Sequence, residues 1–156
     1  ILKGNHDLWW ETAAKMHRFL EEHGMQSIDF LHNNCFFYEN TALCGTRGWP
    51  FEQDFADPHN EKIFRRELMR LEASLRQGAA AAPEEIVCFL HYPPLYASFR
   101  CEAIVSMLQK YGVRRCFYGH LHSESLRYAV EGVYDGIEWR LVSGDHVDFT
   151  PVLLKK

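Results

Sequence analysis

Apolar residues near the start of the chain fall at helical spacing: Trp9, Ala13, Met16 and Leu20 recur at intervals of four, three and four. This pattern predicts an amphipathic helix over residues 8–23, with Asp7 as its N-cap and Gly24 as its stop. Short β-like runs follow at residues 27–30, 35–39 and 42–45. A loop over 46–56 leads to Asp57 and Pro58, a cap followed by proline at the first helical position. Phe64, Leu68, Leu71 and Leu75 then mark a second amphipathic helix, with Arg65, Arg66, Arg70 and Arg76 on its solvated face. GAAAAPEE (78–85) reads as a connector too short to separate domains.

IVCFLH (86–91) is a continuous apolar run ending in histidine, the pattern of a buried parallel strand. A helix is expected over 102–110 and a short strand over 115–118, ending at Gly119 and His120. The final third, with runs at 126–133, 137–142 and 147–153 and turns at Gly132 and Gly136, reads as an antiparallel meander. Strands alternating with helices, then a run of strands, give one layered α/β domain over 1–156. The chain opens on Ile1-Leu2-Lys3 without an initiator methionine. That opening reads as the tail of a strand and gives the expectation of a fragment.

Composition narrows the class. Of 156 residues, 47% are hydrophobic and 24% charged, the balance of a globular domain large enough to bury a core. A net charge of −4 argues against a general nucleic-acid-binding or membrane-binding surface. Cys35, Cys44, Cys88, Cys101 and Cys116 show no C-x-x-C spacing, which fits buried thiols in a reduced, cytoplasmic protein.

Three polar clusters sit where strands end: Asn5 with His6, His91, and His120 with His122. In α/β sheets ligands collect at the carboxyl ends of strands. Imidazole nitrogen and amide oxygen together suit first-row divalent metals. Asn5, His91 and His120 would supply one oxygen and two nitrogens to a single ion, while His122 would reach a second. Two ions about 3.5–4 Å apart hold a bridging hydroxide and clamp the oxygens of a phosphate.

GNHD (4–7), HYPP (91–94) and GHLH (119–122), in this order and each after an apolar strand, resemble the last three motif blocks of calcineurin-like metallophosphoesterases. GNHDLWW, CGTRGWPF, HYPPLY and YGHLHS together resemble a bacterial branch of predicted phosphohydrolases. The resemblance implies a layered α/β/β/α sandwich, incomplete at its N-terminus, and a dinuclear centre of divalent ions: manganese, iron, zinc or nickel. It implies metal ligation by Asn5, His91, His120 and His122. His6 would contact the phosphate and stabilise or protonate the leaving oxygen, with Asp7 orienting it. The helix start after Asp7 would add positive potential, and Gly119 would let the chain turn to present both imidazoles. Arg47 and Tyr96 are candidate substrate contacts, and of Trp9 and Trp10 one is expected in the core. The partner is a phosphoester; its identity and the oligomeric state are left open.

The family's two acidic blocks, Asp-x-His and Gly-Asp-x-x-Asp, would precede GNHD. Asp57-Pro58-His59 and Gly144-Asp145-His146-Val147-Asp148 match them literally, but the first reads as a helix cap and the second as a strand-connecting turn. Without a bridging carboxylate the ligands are all neutral and hold metal weakly. The expectation is therefore a metal-dependent phosphohydrolase that is impaired as this chain, or alternatively a non-catalytic metal-binding or partner-binding remnant. A metallo-β-lactamase type is disfavoured because Ser123-Glu124-Ser125 follows His122 where x-Asp-His would stand.

Overall fold

The computed structural model describes residues 1–7, 9–49 and 58–154. Strands β1 (Cys35–Tyr38), β2 (Thr41–Thr46), β3 (Glu85–Leu90), β6 (Arg115–Tyr118), β7 (Gly132–Tyr134) and β8 (Ile137–Leu141) form one sheet in the order β1-β2-β3-β6-β8-β7. β2, β3, β6 and β8 are mutually parallel, and β1 and β7 are antiparallel edges. A separate ribbon pairs β4 (Leu95–Tyr96) with β5 (Phe99–Arg100). Helices α2 (Pro58–Ala80) and α3 (Glu102–Lys110) pack onto the sheet through one hydrophobic core. This mixed α/β arrangement is consistent with the metallophosphoesterase-like sandwich expected.

One row of register partners crosses the sheet: Cys35, Cys44, Cys88, Cys116 and Trp139. All five are buried, and all the cysteines are free thiols. Small sulfur side chains let α2 approach the sheet closely. A Cβ on Gly78 would lie 2.5 Å from the Cys44 sulfur, so glycine is required at that crossing. Helix α2 thus runs through Gly78 to Ala80, into the stretch the sequence pattern assigns to a connector. Gly45 is required for the same kind of reason: a Cβ there would meet the Phe89 carbonyl oxygen at 2.0 Å. Ser74 locks the contact, its hydroxyl accepting from Gly45 N at 2.9 Å and donating to Asn34 O at 2.5 Å.

Other elements depart from the sequence pattern. Helix α1 (Ala13–Glu22) starts later than expected, capped by Thr12 rather than Asp7. It buries Met16 and Leu20, while Ala13 and Trp9 are exposed. Leu8 and the stretch 50–57, with the Asp57 cap, lie outside the described residues. No strand forms over 27–30; a single parallel bridge joins Leu2 to Leu31. In the last third, β8 pairs antiparallel with β7 but parallel with β6, and 147–153 is not a strand. Residues 126–128 belong to a 3-10 helix, Ser123–Tyr128. A pure meander is thus excluded, because the buried Ile137, Trp139 and Leu141 insert β8 beside the central parallel strands. Among the described residues no helix is long and apolar enough to cross a membrane.

Candidate metal and phosphoester site

Because β2, β3, β6 and β8 are parallel, their carboxyl ends form one edge. Arg47 follows β2, His91 follows β3, His120 lies two residues past β6, and Asp145 lies four past β8. The GNHD turn approaches the same edge from the N-terminal segment. Asn5 Oδ1 lies 2.7 Å from His91 Nε2 and 3.3 Å from His120 Nδ1, and the two histidine nitrogens are 3.2 Å apart. Donors about 2.1 Å from one ion and at right angles to each other stand about 3.0 Å apart, so this triangle and its one-oxygen, two-nitrogen chemistry fit a first-row divalent ion. The described residues contain no group of three or more His, Cys, Asp or Glu side chains placed to hold a metal; the trio has two histidines and an amide.

The surroundings keep both rings neutral. Burial, then the neighbouring His120, lowers the His91 pKa to about 4. Burial, then His122 and His6, lowers that of His120. Neutral imidazole is the form that ligates metal. The His91 N–H donates to Arg47 O at 3.1 Å, and its carbonyl accepts from Gly119 N at 3.2 Å, so three strand ends fix one another. At the turn that Gly119 was expected to allow, the left-handed residue is His120 itself, at φ 72°, an uncommon conformation for a non-glycine residue that clusters at functional sites.

His122 faces a different partner. Its Nδ1 lies 2.8 Å from Asp145 Oδ1, while Asp145 Oδ2 accepts from Ser123 N at 2.8 Å. Those contacts hold the Asp145 carboxyl below its usual pKa, the Ser123 N–H being the larger cause. With Nδ1 so engaged, the other nitrogen of His122 remains for a ligand. The His122 N–H also donates to the Ser125 hydroxyl at 2.8 Å, closing a reciprocal cap on the 3-10 helix.

A family model described as calcineurin-like phosphoesterase matches residues 1–124, which include every residue of the trio and His122. The chain belongs to the calcineurin-like phosphoesterase family. No curated protein and no solved structure matches it.

The remaining candidate residues of this calcineurin-like phosphoesterase are placed as follows. His6 is exposed, close enough to His120 to depress its pKa. Asp7 turns inward, its Oδ2 accepting from Gly4 N at 2.6 Å, so among the described residues it closes the GNHD turn and makes no hydrogen bond to His6. With α1 beginning at Ala13, the helix start is removed from the turn it was expected to polarise. The Arg47 guanidinium stacks over Trp49, 4.9 Å from the ring centroid, and the residue lines a cavity together with Lys3 and Trp10. Tyr96 is part of the ribbon and packs on Tyr128, ring centroids 5.3 Å apart. The aromatic wall of the trio is instead Tyr92, whose ring centroid is 4.5 Å from that of His120 and 5.0 Å from that of His91. Its position directly after His91 was the available signal. Trp10 is the member of its pair that packs inward, edge-on to Phe30 at 4.7 Å.

Proposed function

We propose that this chain is a metal-dependent phosphohydrolase acting on phosphoesters through a dinuclear centre. Asn5, His91 and His120 hold one divalent ion, and His122, oriented by Asp145, reaches a second. The observation that carries this reading is the meeting of Asn5 Oδ1, His91 Nε2 and His120 Nδ1 within 3.3 Å of one another. When bound, the ions supply Lewis acidity toward the phosphate and an activated water. His6, exposed beside His120, gives the proton to the leaving oxygen. Tyr92 excludes water from one side of the trio, and Asp7 fixes the turn that carries Asn5 and His6.

All four ligands are uncharged, so they hold metal more weakly than a set containing a carboxylate, and turnover by these residues alone is low. Metal analysis and a chromogenic phosphodiester assay with manganese test both parts. Turnover lost in His120→Ala supports hydrolysis at this site, and turnover at ordinary enzymatic rates would refute the impaired ligand set. Retained metal without any turnover would favour the non-catalytic alternative.

A further inference from the structure

A cavity of about 540 Å3, lined by Lys3 of the N-terminal segment and by Arg47 after β2, is left without a role by the reading above. Lys3, Arg47 and Arg70 line it, against one buried carboxylate, Glu67. Glu67 is already engaged: its Oε2 accepts from Thr46 Oγ1 at 2.9 Å, and its Oε1 accepts from Arg70 Nη1. Arg47 Nη2 stands 3.7 Å from the same carboxylate, beyond hydrogen-bond range. Arg47 Nε is buried and has no hydrogen-bond partner among the described residues, and the same holds for Trp10 Nε1 on the same cavity. Buried N–H groups are nearly always satisfied, so two unpartnered donors, each on a residue that lines the cavity, mark this region as short of acceptors.

The charges converge on the same place. His32, also lining the cavity, has its pKa lowered by burial and then by Arg70; Glu67 opposes this, and Lys3 and Arg47 add to the lowering. Glu11, a second carboxylate on the lining, is exposed and paired with Lys15 at 3.1 Å. Three cations against one engaged carboxylate leave an excess suited to a dianion, and the guanidinium fork matches phosphate oxygens. Arg47 joins this cavity to the trio: its carbonyl accepts from His91 N while its guanidinium lines the cavity. Lys3 likewise precedes Asn5 by two residues.

We infer that the cavity is a second anion site, taking a phosphate group that the substrate carries apart from its scissile ester. The substrate class is then a phosphoester with a further phosphate, its body lying along Trp10 and Phe30. The link to substrate rests on the phosphohydrolase reading; the phosphate site itself does not.

Titration of the metal-free protein with inorganic phosphate, followed by calorimetry and tryptophan fluorescence, tests the site. Saturable, salt-sensitive binding is expected, weakened about tenfold or more by Lys3→Gln or Arg47→Lys, since each charge-assisted contact is lost or misaligned. Replacing the exposed Arg76 by Gln should change nothing. Circular dichroism melting of Lys3→Gln separates lost affinity from lost folding. Absent phosphate binding, affinity unchanged in both cavity variants, or acetate binding as tightly as phosphate would each overturn the assignment. So would a loss of affinity in His120→Ala in place of the cavity variants, which would put the phosphate at the trio. With manganese added, KM for an alkyl bisphosphate should lie at least about tenfold below that for the matching monophosphate. Equal KM values would overturn the link to substrate. Because the titration involves neither metal nor turnover, failure of the hydrolase reading and failure of this one give different results.

Discussion

Asn5 Oδ1 and His91 Nε2 stand 86 residues apart in the chain and 2.7 Å apart in space. The contact can be a plain hydrogen bond or one edge of a coordination sphere, and Asn5→Asp tells these apart. A carboxylate here adds charge to a neutral donor set, so manganese affinity should rise about tenfold or more. Isothermal titration with manganese checks this, and unchanged or weaker binding would count against metal at the trio.

Asp145 acts on His122 from 23 residues away, with no covalent neighbour in common. Its replacement by Ala frees the imidazole to rotate and should lower manganese-dependent turnover by about 10–100-fold, the usual range for an orienting partner of a metal ligand. The thermal midpoint should move little because His122 is exposed. Asp145→Asn should recover part of the activity, since its amide oxygen can still accept from His122. If Asp145→Ala loses stability and turnover together, the contact is structural.

Gly78→Ala should destabilise the fold by about 1–3 kcal/mol despite the better helix propensity of alanine, because the added methyl overpacks against Cys44. In the double variant with Cys44→Ala most of that loss should disappear, as expected of contacting residues. Urea midpoints of the four proteins measure the coupling. Additive losses would mean that the 2.5 Å approach is relieved elsewhere.

Stability should fall on the alkaline side. Burial, first of all, pushes the Cys44 thiol up to about 12 from 9.0 and the Tyr118 phenol up to about 12 from 10.0. Both groups hold their protons more tightly folded than unfolded. Their contribution is therefore complete below pH 9 and is lost as pH rises from 9 through 12, at up to about 1.4 kcal/mol per pH unit for each group. Urea midpoints at about pH 8 and about pH 10.5 should show the drop, which Tyr118→Phe should lessen.

Much of the site was legible because its histidines end apolar runs. The strand over 115–118 and the helix over 102–110 match the structure, and β3 differs by one residue at each end. Placing His91 and His120 past two parallel strands was then enough to bring them together. What escaped depends on contacts between distant segments. Asp7 carries a good cap side chain, but its carboxylate meets Gly4 N and Thr12 takes the cap. Glu67 carries no local signal of burial in the sequence, yet Thr46, Arg47 and Arg70 let it be buried. Asp145 read as a turn residue because nothing local indicates that His122 lies against it. The pairing of β8 with β6 was hidden by its alternating pattern, which suits an antiparallel strand equally well.

The sulfur row gives the sheet a chemical ruler. Cys35 sits on the edge strand β1, Cys44 one strand in, and Cys88 and Cys116 at the centre. A small alkylating reagent reaches each thiol only when its own strand opens, so the positions labelled report how far the opening has travelled. Label confined to Cys35 measures fraying of β1. Label at Cys88 and Cys116 measures loss of the sheet itself, and the interval between the two rates divides local from global opening without any engineered thiol.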